Sequence, residues 1–126
     1  MAIQLTTTGI NTMLSSFLGS EGQILKLYSN DVDPGASTTV TQFTEFTGDG
    51  YSGKTLESTN WSVAAGVATT APQTWEFTGA TGEVYGYYLV GASTGTLLAA
   101  EKFSNGPYTV AVSGDKITVS ITISLS

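Results

Sequence analysis

The sequence predicts an all-β domain: an antiparallel β-sandwich or barrel-like fold spanning residues 1–126, with one short N-terminal helix. Three observations carry that prediction. The first is the C-terminal segment, where Ile117, Val119, Ile121, Ile123 and Leu125 alternate with Thr118, Ser120, Thr122, Ser124 and Ser126. Strand side chains switch faces with a period of two, so one face here is wholly aliphatic and the other wholly hydroxyl. The second is the recurrence of short apolar runs between turn signals about every eight to twelve residues. The third is a single stretch with helical spacing, confined to the start of the chain.

In order along the chain, residues 1–7 read as an extended arm. Ile10, Met13, Leu14, Phe17 and Leu18 then form the apolar stripe of a helix over about residues 9–18, with Thr8 as N-cap and Gly19 just past its end. This helix is expected to plug an open end or face of a sheet. Gln23 to Tyr28 reads as a strand, and Asn30 to Ser37, with Asp33-Pro34-Gly35, as a loop. Val40 to Phe46 fits either a strand or a turn of helix. Tyr51 to Leu56 and Trp61 to Thr69 read as strands around a polar break, followed by Thr74 to Thr78 and Glu83 to Val90. Leu97 to Phe103 follows the Gly91–Thr96 loop. Asn105-Gly106 marks a tight turn before Tyr108 to Val112, and Ser113-Gly114-Asp115 leads into the terminal strand.

Composition narrows the function. Four lysines, Lys26, Lys54, Lys102 and Lys116, stand singly against ten carboxylates, for a net charge of −6. Arginine, histidine and cysteine are absent. Without clustered positive charge, nucleic-acid binding and attraction to an anionic membrane are not expected. The lack of histidine removes the usual general base and metal ligand, and the lack of cysteine removes thiolate chemistry. No apolar run is long enough to cross a bilayer as a helix, and the first residues do not resemble a secretion signal.

Candidate chemistries are weak. Asn30, Asp31, Asp33 and Gly35 approach a calcium loop, but Gln42 stands where the closing acid is required. The alternative for that segment is an Asx-type turn. Glu76, Glu83 and Glu101 could form a carboxylate pair, yet no nearby group orients or tunes them. Thr118, Ser120 and Thr122 line up as a hydroxyl ladder without the repeat an ice-binding solenoid needs. Trp61, Trp75, Tyr85, Tyr87, Tyr88 and Tyr108 suit either a sugar platform or, more simply, a core and a subunit interface. On alternation, Tyr85 and Tyr87 share one strand face and Tyr88 takes the other. No catalytic, cofactor or metal residues are assigned, an enzyme is not expected, and the partner-binding residues are left unassigned.

Several stretches resemble small virion proteins of tailed bacteriophages. They are Leu25-Lys26-Leu27-Tyr28-Ser29-Asn30, Phe43-Thr44-Glu45-Phe46, Gly50-Tyr51, Asn60-Trp61 and Gln73-Thr74-Trp75-Glu76-Phe77-Thr78. Val84 to Val90, Glu101 to Tyr108, the alternating terminal strand and the opening Leu5-Thr6-Thr7-Thr8-Gly9 extend the similarity. The resemblance implies a capsid decoration, or cement, protein made in the host cytoplasm and placed on the outer capsid surface of the virion. It implies a homotrimer that clamps neighbouring major capsid proteins. The extended arm of residues 1–7 is expected to add a strand to an exposed sheet edge on a neighbour, with avidity supplying the hold. The alternatives are a tail-associated or host-adhesion module, and a carbohydrate-binding domain outside any virus.

Overall fold

The computed structural model describes residues 3–124. It is mostly β, with one α-helix, two single-turn 3-10 segments and four antiparallel sheets. The helix α1 is Thr7–Gly19. The strands are β1 Gln23–Tyr28, β2 Lys54–Leu56, β3 Trp61–Ala64, β4 Val67–Thr70, β5 Gln73–Glu76 and β6 Gly82–Val84, followed by β7 Gly86–Gly91, β8 Leu97–Lys102, β9 Tyr108–Val110, β10 Lys116–Val119 and β11 Thr122–Ser124. One sheet runs β2-β1-β7-β8 and a second runs β11-β4-β3, while β10 pairs with β5 and β6 with β9. Among the described residues no sheet closes on itself, so the barrel-like alternative is not met by a ring of strands.

The helix starts earlier than the stripe suggests. Thr6 is the cap: its Oγ1 accepts from the Gly9 amide at 3.0 Å, and its carbonyl accepts from Ile10. Thr8 lies inside the first turn. Three consecutive threonines offer equal caps, and sequence alone does not rank them. Gly19 is the last helical residue rather than a left-handed stop, and Ser20 caps the end with its hydroxyl on the Phe17 carbonyl. Of the expected arm, Met1 and Ala2 lie outside the described residues; Ile3 to Thr6 belong to no helix or strand. Leu14 and Leu18 are buried as α1 packs on β3 and β4, and the Asn11 side chain accepts from the Gly66 amide between those strands.

Strand β1 forms as the sequence predicts, and β7 beside it is buried along its whole length. Three other segments divide where one strand was expected. Trp61 to Thr69 is a hairpin, turning at Ala65 and Gly66 with φ of 53° and 78°. Alanine rarely takes positive φ, so the turn carries no sequence signal. Glu83 to Val90 breaks at Tyr85, whose amide donates to the Tyr28 carbonyl and whose carbonyl accepts from Phe103. The break moves Tyr85 to the opposite side from Tyr87: Tyr85 packs with Tyr28, Phe43 and Tyr88, whereas Tyr87 joins the main core. Gly86 follows because the chain passes too close for a side chain. A Cβ there would stand 2.3 Å from the Glu101 carbonyl oxygen and 2.6 Å from the Tyr28 hydroxyl.

The terminal segment also divides. Lys116–Val119 pairs with β5, then Thr122–Ser124 pairs with β4 at the edge of another sheet. Between them, Thr70 and Ile121 exchange bonds: the Thr70 amide reaches the Ile121 carbonyl, and the Ile121 amide reaches the Thr70 hydroxyl. The predicted alternation survives the change of partner. Ile117, Val119 and Ile121 are buried, Thr118, Ser120, Thr122 and Ser124 are exposed, and Ile123 is half-buried. Leu125 and Ser126 lie outside the described residues. The ambiguous Val40–Phe46 segment holds a 3-10 turn, Val40–Gln42, and a single bridge from Glu45 to Tyr28. Only Lys54–Leu56 of the Tyr51–Leu56 stretch is strand. Asn105-Gly106 does turn the chain, but β8 and β9 pair with different strands, so no hairpin results.

Candidate docking surface

Most of the residues singled out for chemistry are occupied internally. Trp61 and Trp75 are buried, and each indole N–H is satisfied, by Gln23 Oε1 at 3.0 Å and the Ser52 carbonyl at 2.7 Å. Tyr87 and Tyr88 are buried and Tyr85 is half-buried, so the six aromatics form no common exposed platform. Burial, reinforced by Asp33 and Asp31, pushes the Tyr28 phenol up to about 12, and burial with Glu45 nearby does the same to Tyr88. Tyr51 and Tyr87 are raised further, first by burial and then by carboxylates that accept hydrogen bonds from their hydroxyls: Glu45 for Tyr51 and Glu101 for Tyr87, both at 2.7 Å.

The carboxylates are not gathered. Glu76, Glu83 and Glu101 lie on β5, β6 and β8, in three separate sheets. Among the described residues no cluster of three acids forms that could hold a metal ion. The Asn30 loop is stitched at longer range than an Asx turn: its amide nitrogen donates to the Gln42 carbonyl and its oxygen accepts from the Thr44 amide. Asp31 pairs with Lys102 at 2.5 Å, which raises the lysine's pKa. Lys26 meets Glu45 at 3.5 Å, Lys116 meets Glu76 at 3.9 Å, and Lys54 sits over the Trp75 ring. Each of the four lysines therefore has a partner within the chain, and no basic patch is left for an anionic ligand.

One surface feature among the described residues is apolar. Met13, Leu14 and Phe17 of α1, Leu98 and Ala99 of β8 and Ile123 of β11 line a groove of about 340 Å³. Met13 is 49% exposed and Phe17 40% exposed, large values for side chains expected in the core. A second groove of about 410 Å³ continues it, lined by Tyr87, Ala99 to Glu101 and Ser120 to Ile123. Both run along strands that end their sheets: among the described residues β8 is bonded only to β7, and β11 only to β4. The Phe103 amide donates to Tyr85, which fixes the alternation along β8. Ala99 and Glu101 turn their backbone groups toward β7, and Ala100 and Lys102 turn theirs outward.

Sequence reasoning missed this groove because it assigned all five stripe residues to one buried face. The signal was present. Met13/Phe17 and Leu14/Leu18 are parallel i, i+4 pairs, so the stripe is wider than one contact on a sheet requires. A search of protein-family models, curated proteins and solved structures finds no match to the chain.

Proposed function

We propose that this chain is a bacteriophage virion structural protein, a decoration protein of the outer capsid surface that works by binding and not by catalysis. In this reading it associates as a homotrimer and holds neighbouring major capsid proteins together. The observation that carries the reading is the uncharged groove between two unpaired sheet edges, on a chain whose lysines are all engaged internally. Unpaired edges invite another strand, and half-exposed apolar side chains favour a protein contact. The resemblance of Leu25–Asn30, Gln73–Thr78 and Val84–Val90 to small phage virion proteins supplies the setting. A sandwich-like packing supports it as a rigid spacer: Leu25, Leu27 and Leu89 of the four-stranded sheet share one core with Ala68, Trp75, Ile117 and Val119 of the others.

One observation favours the tail-adhesion alternative. Tyr108 is exposed, packs against Phe103 with the rings tilted and 5.0 Å apart, and borders a groove of about 430 Å³ that also holds Asp115, Lys116 and Thr118. An exposed ring with polar neighbours is the chemistry of a sugar contact. Quantitative mass spectrometry of purified phage particles separates the two. A decoration protein is expected at a copy number comparable with the major capsid protein, and a tail module at a small fraction of it. Absence from particles rejects both.

A further inference from the structure

We infer that the groove between α1, β8 and β11 receives the N-terminal arm of a second copy of this chain, laid as an added strand along the open edge of β8. The inference rests on the reading of the chain as a self-associating assembly protein, and it names the surfaces involved.

The donor is Ile3 to Thr6. This segment belongs to no strand, with Ile3 92% exposed and Leu5 43% exposed. Ile3 and Leu5 alternate with Gln4 and Thr6, so an extended arm offers two apolar side chains about 7 Å apart on one face. The acceptor supplies what such a strand lacks. Among the described residues the outward N–H and C=O of Ala100 pair with no strand, and Met13, Phe17, Leu98 and Ile123 form an apolar floor that reaches the same strand at Leu98 and Ala99.

Charge selects the same partner. A chain of net charge −6 repels its own copies over most of its surface. Residues 1–20 carry no Asp, Glu, Lys or Arg, and none of the six described residues lining the groove is charged. Ile3 to Thr6 and the groove can therefore meet without burying a charged side chain or opposing like-charged side chains. Among the described residues, Ile3 to Thr6 of the arm do not line the chain's own groove.

Donor and acceptor are different surfaces, so the contact is head-to-tail. Such contacts close into rings or run on as fibres. A closed trimer would engage three arms in three grooves, and the multiplicity compensates for the small area of each arm.

Two variants and their mixture test this by native mass spectrometry. Deletion of residues 1–5 keeps the Thr6 cap and removes the donor. Ala100→Pro removes the outward N–H, a position where an edge strand tolerates proline. Each variant is expected to fall from the parent oligomer to the single-chain mass of about 13 kDa, with its circular dichroism unchanged. Mixed together they are expected to form a one-to-one dimer, because each retains the half that the other has lost. A monomeric parent, a deletion variant with the parent's mass, or a mixture that stays monomeric overturns the inference. The outcome is independent of particle content: loss of assembly on deletion would stand even if the chain were absent from virions. Retained assembly in a chain abundant in virions would reject only the arm.

Discussion

Strands β7 and β8 are neighbours, bonded to each other, and they differ in almost every other respect. β7 is paired on both sides, and all six of its residues are buried. Leu89 on one face joins the main core, while Tyr88 and Val90 on the other join Tyr28 and Phe43, with the Phe43 and Tyr88 rings stacked at 4.7 Å. β8 is paired on one side, and its apolar run Leu97-Leu98-Ala99-Ala100 is only half-buried. Both read as strands in the sequence. Apolar content therefore does not distinguish a strand that completes the core from one that waits for a partner; the number of bonded edges does.

Alkaline titration should break β7 most severely, because four raised phenols respond together. Tyr28 and Tyr88 titrate near 12 in the folded chain, and Tyr51 and Tyr87 higher, against about 10 when unfolded. A raised folded value means that the folded state holds the proton longer. The contribution to stability is complete below about pH 10 and is lost as pH rises toward 12 and beyond. Urea midpoints are expected to be flat with respect to these groups below pH 10 and to drop steeply above it, in step with phenolate absorbance. Phenols that ionise near pH 10 without unfolding would show that they are exposed.

Leu89→Ala comes next. Its side chain is 1% exposed, and truncation there removes core contacts and leaves a cavity, at a cost of about 2–5 kcal/mol in urea unfolding. A change well below that range would mean that the cavity collapses and that β7 is less fixed than its burial implies.

Gln23→Ala tests the end of the closed region, where β1 meets β7 at the Gln23–Gly91 pair. The buried Gln23 amide takes the Trp61 N–H and donates to the carbonyls of Leu18 and Glu21, joining helix, strand and indole at one point. Alanine leaves a buried indole N–H without an acceptor, at a cost of about 1–3 kcal/mol. A shift in the tryptophan emission is expected to accompany the lower urea midpoint.

What was legible in the sequence follows from the same contrast. β1 was readable to the residue because Ile24, Leu25, Leu27 and Tyr28 make a short apolar run, with Leu25 and Leu27 buried, between the Gly22 and Ser29-Asn30 breaks. The alternating C-terminal faces were readable because a period of two does not depend on which strand is the partner. The partner change at Ser120–Ile121 and the break at Tyr85 were not, since each is decided by a distant group, Thr70 and the Tyr28 carbonyl, and the turn at Ala65-Gly66 was not, since an alanine at positive φ gives no turn signal. The role of Gln23 was equally hidden, because a lone glutamine gives no sign of the indole it will meet. The groove lay hidden behind a helical stripe that looked like core.

Met13→Gln should have the smallest effect on the fold and is the sharpest probe of the difference between the two strands. Met13 is half exposed on the helix side of the groove, and glutamine matches its length and helix propensity. The unfolding free energy of the isolated chain is expected to change by less than about 0.5 kcal/mol, as at an ordinary surface site. Self-association is expected to weaken, because an inserted amide must give up water without a partner on the apolar floor. If the substitution instead lowers the urea midpoint as far as Leu89→Ala, Met13 belongs to the core and the groove is a defect of packing. Stability unmoved and assembly weakened would place β8 and its helix on the outside of one fold and the inside of a larger one.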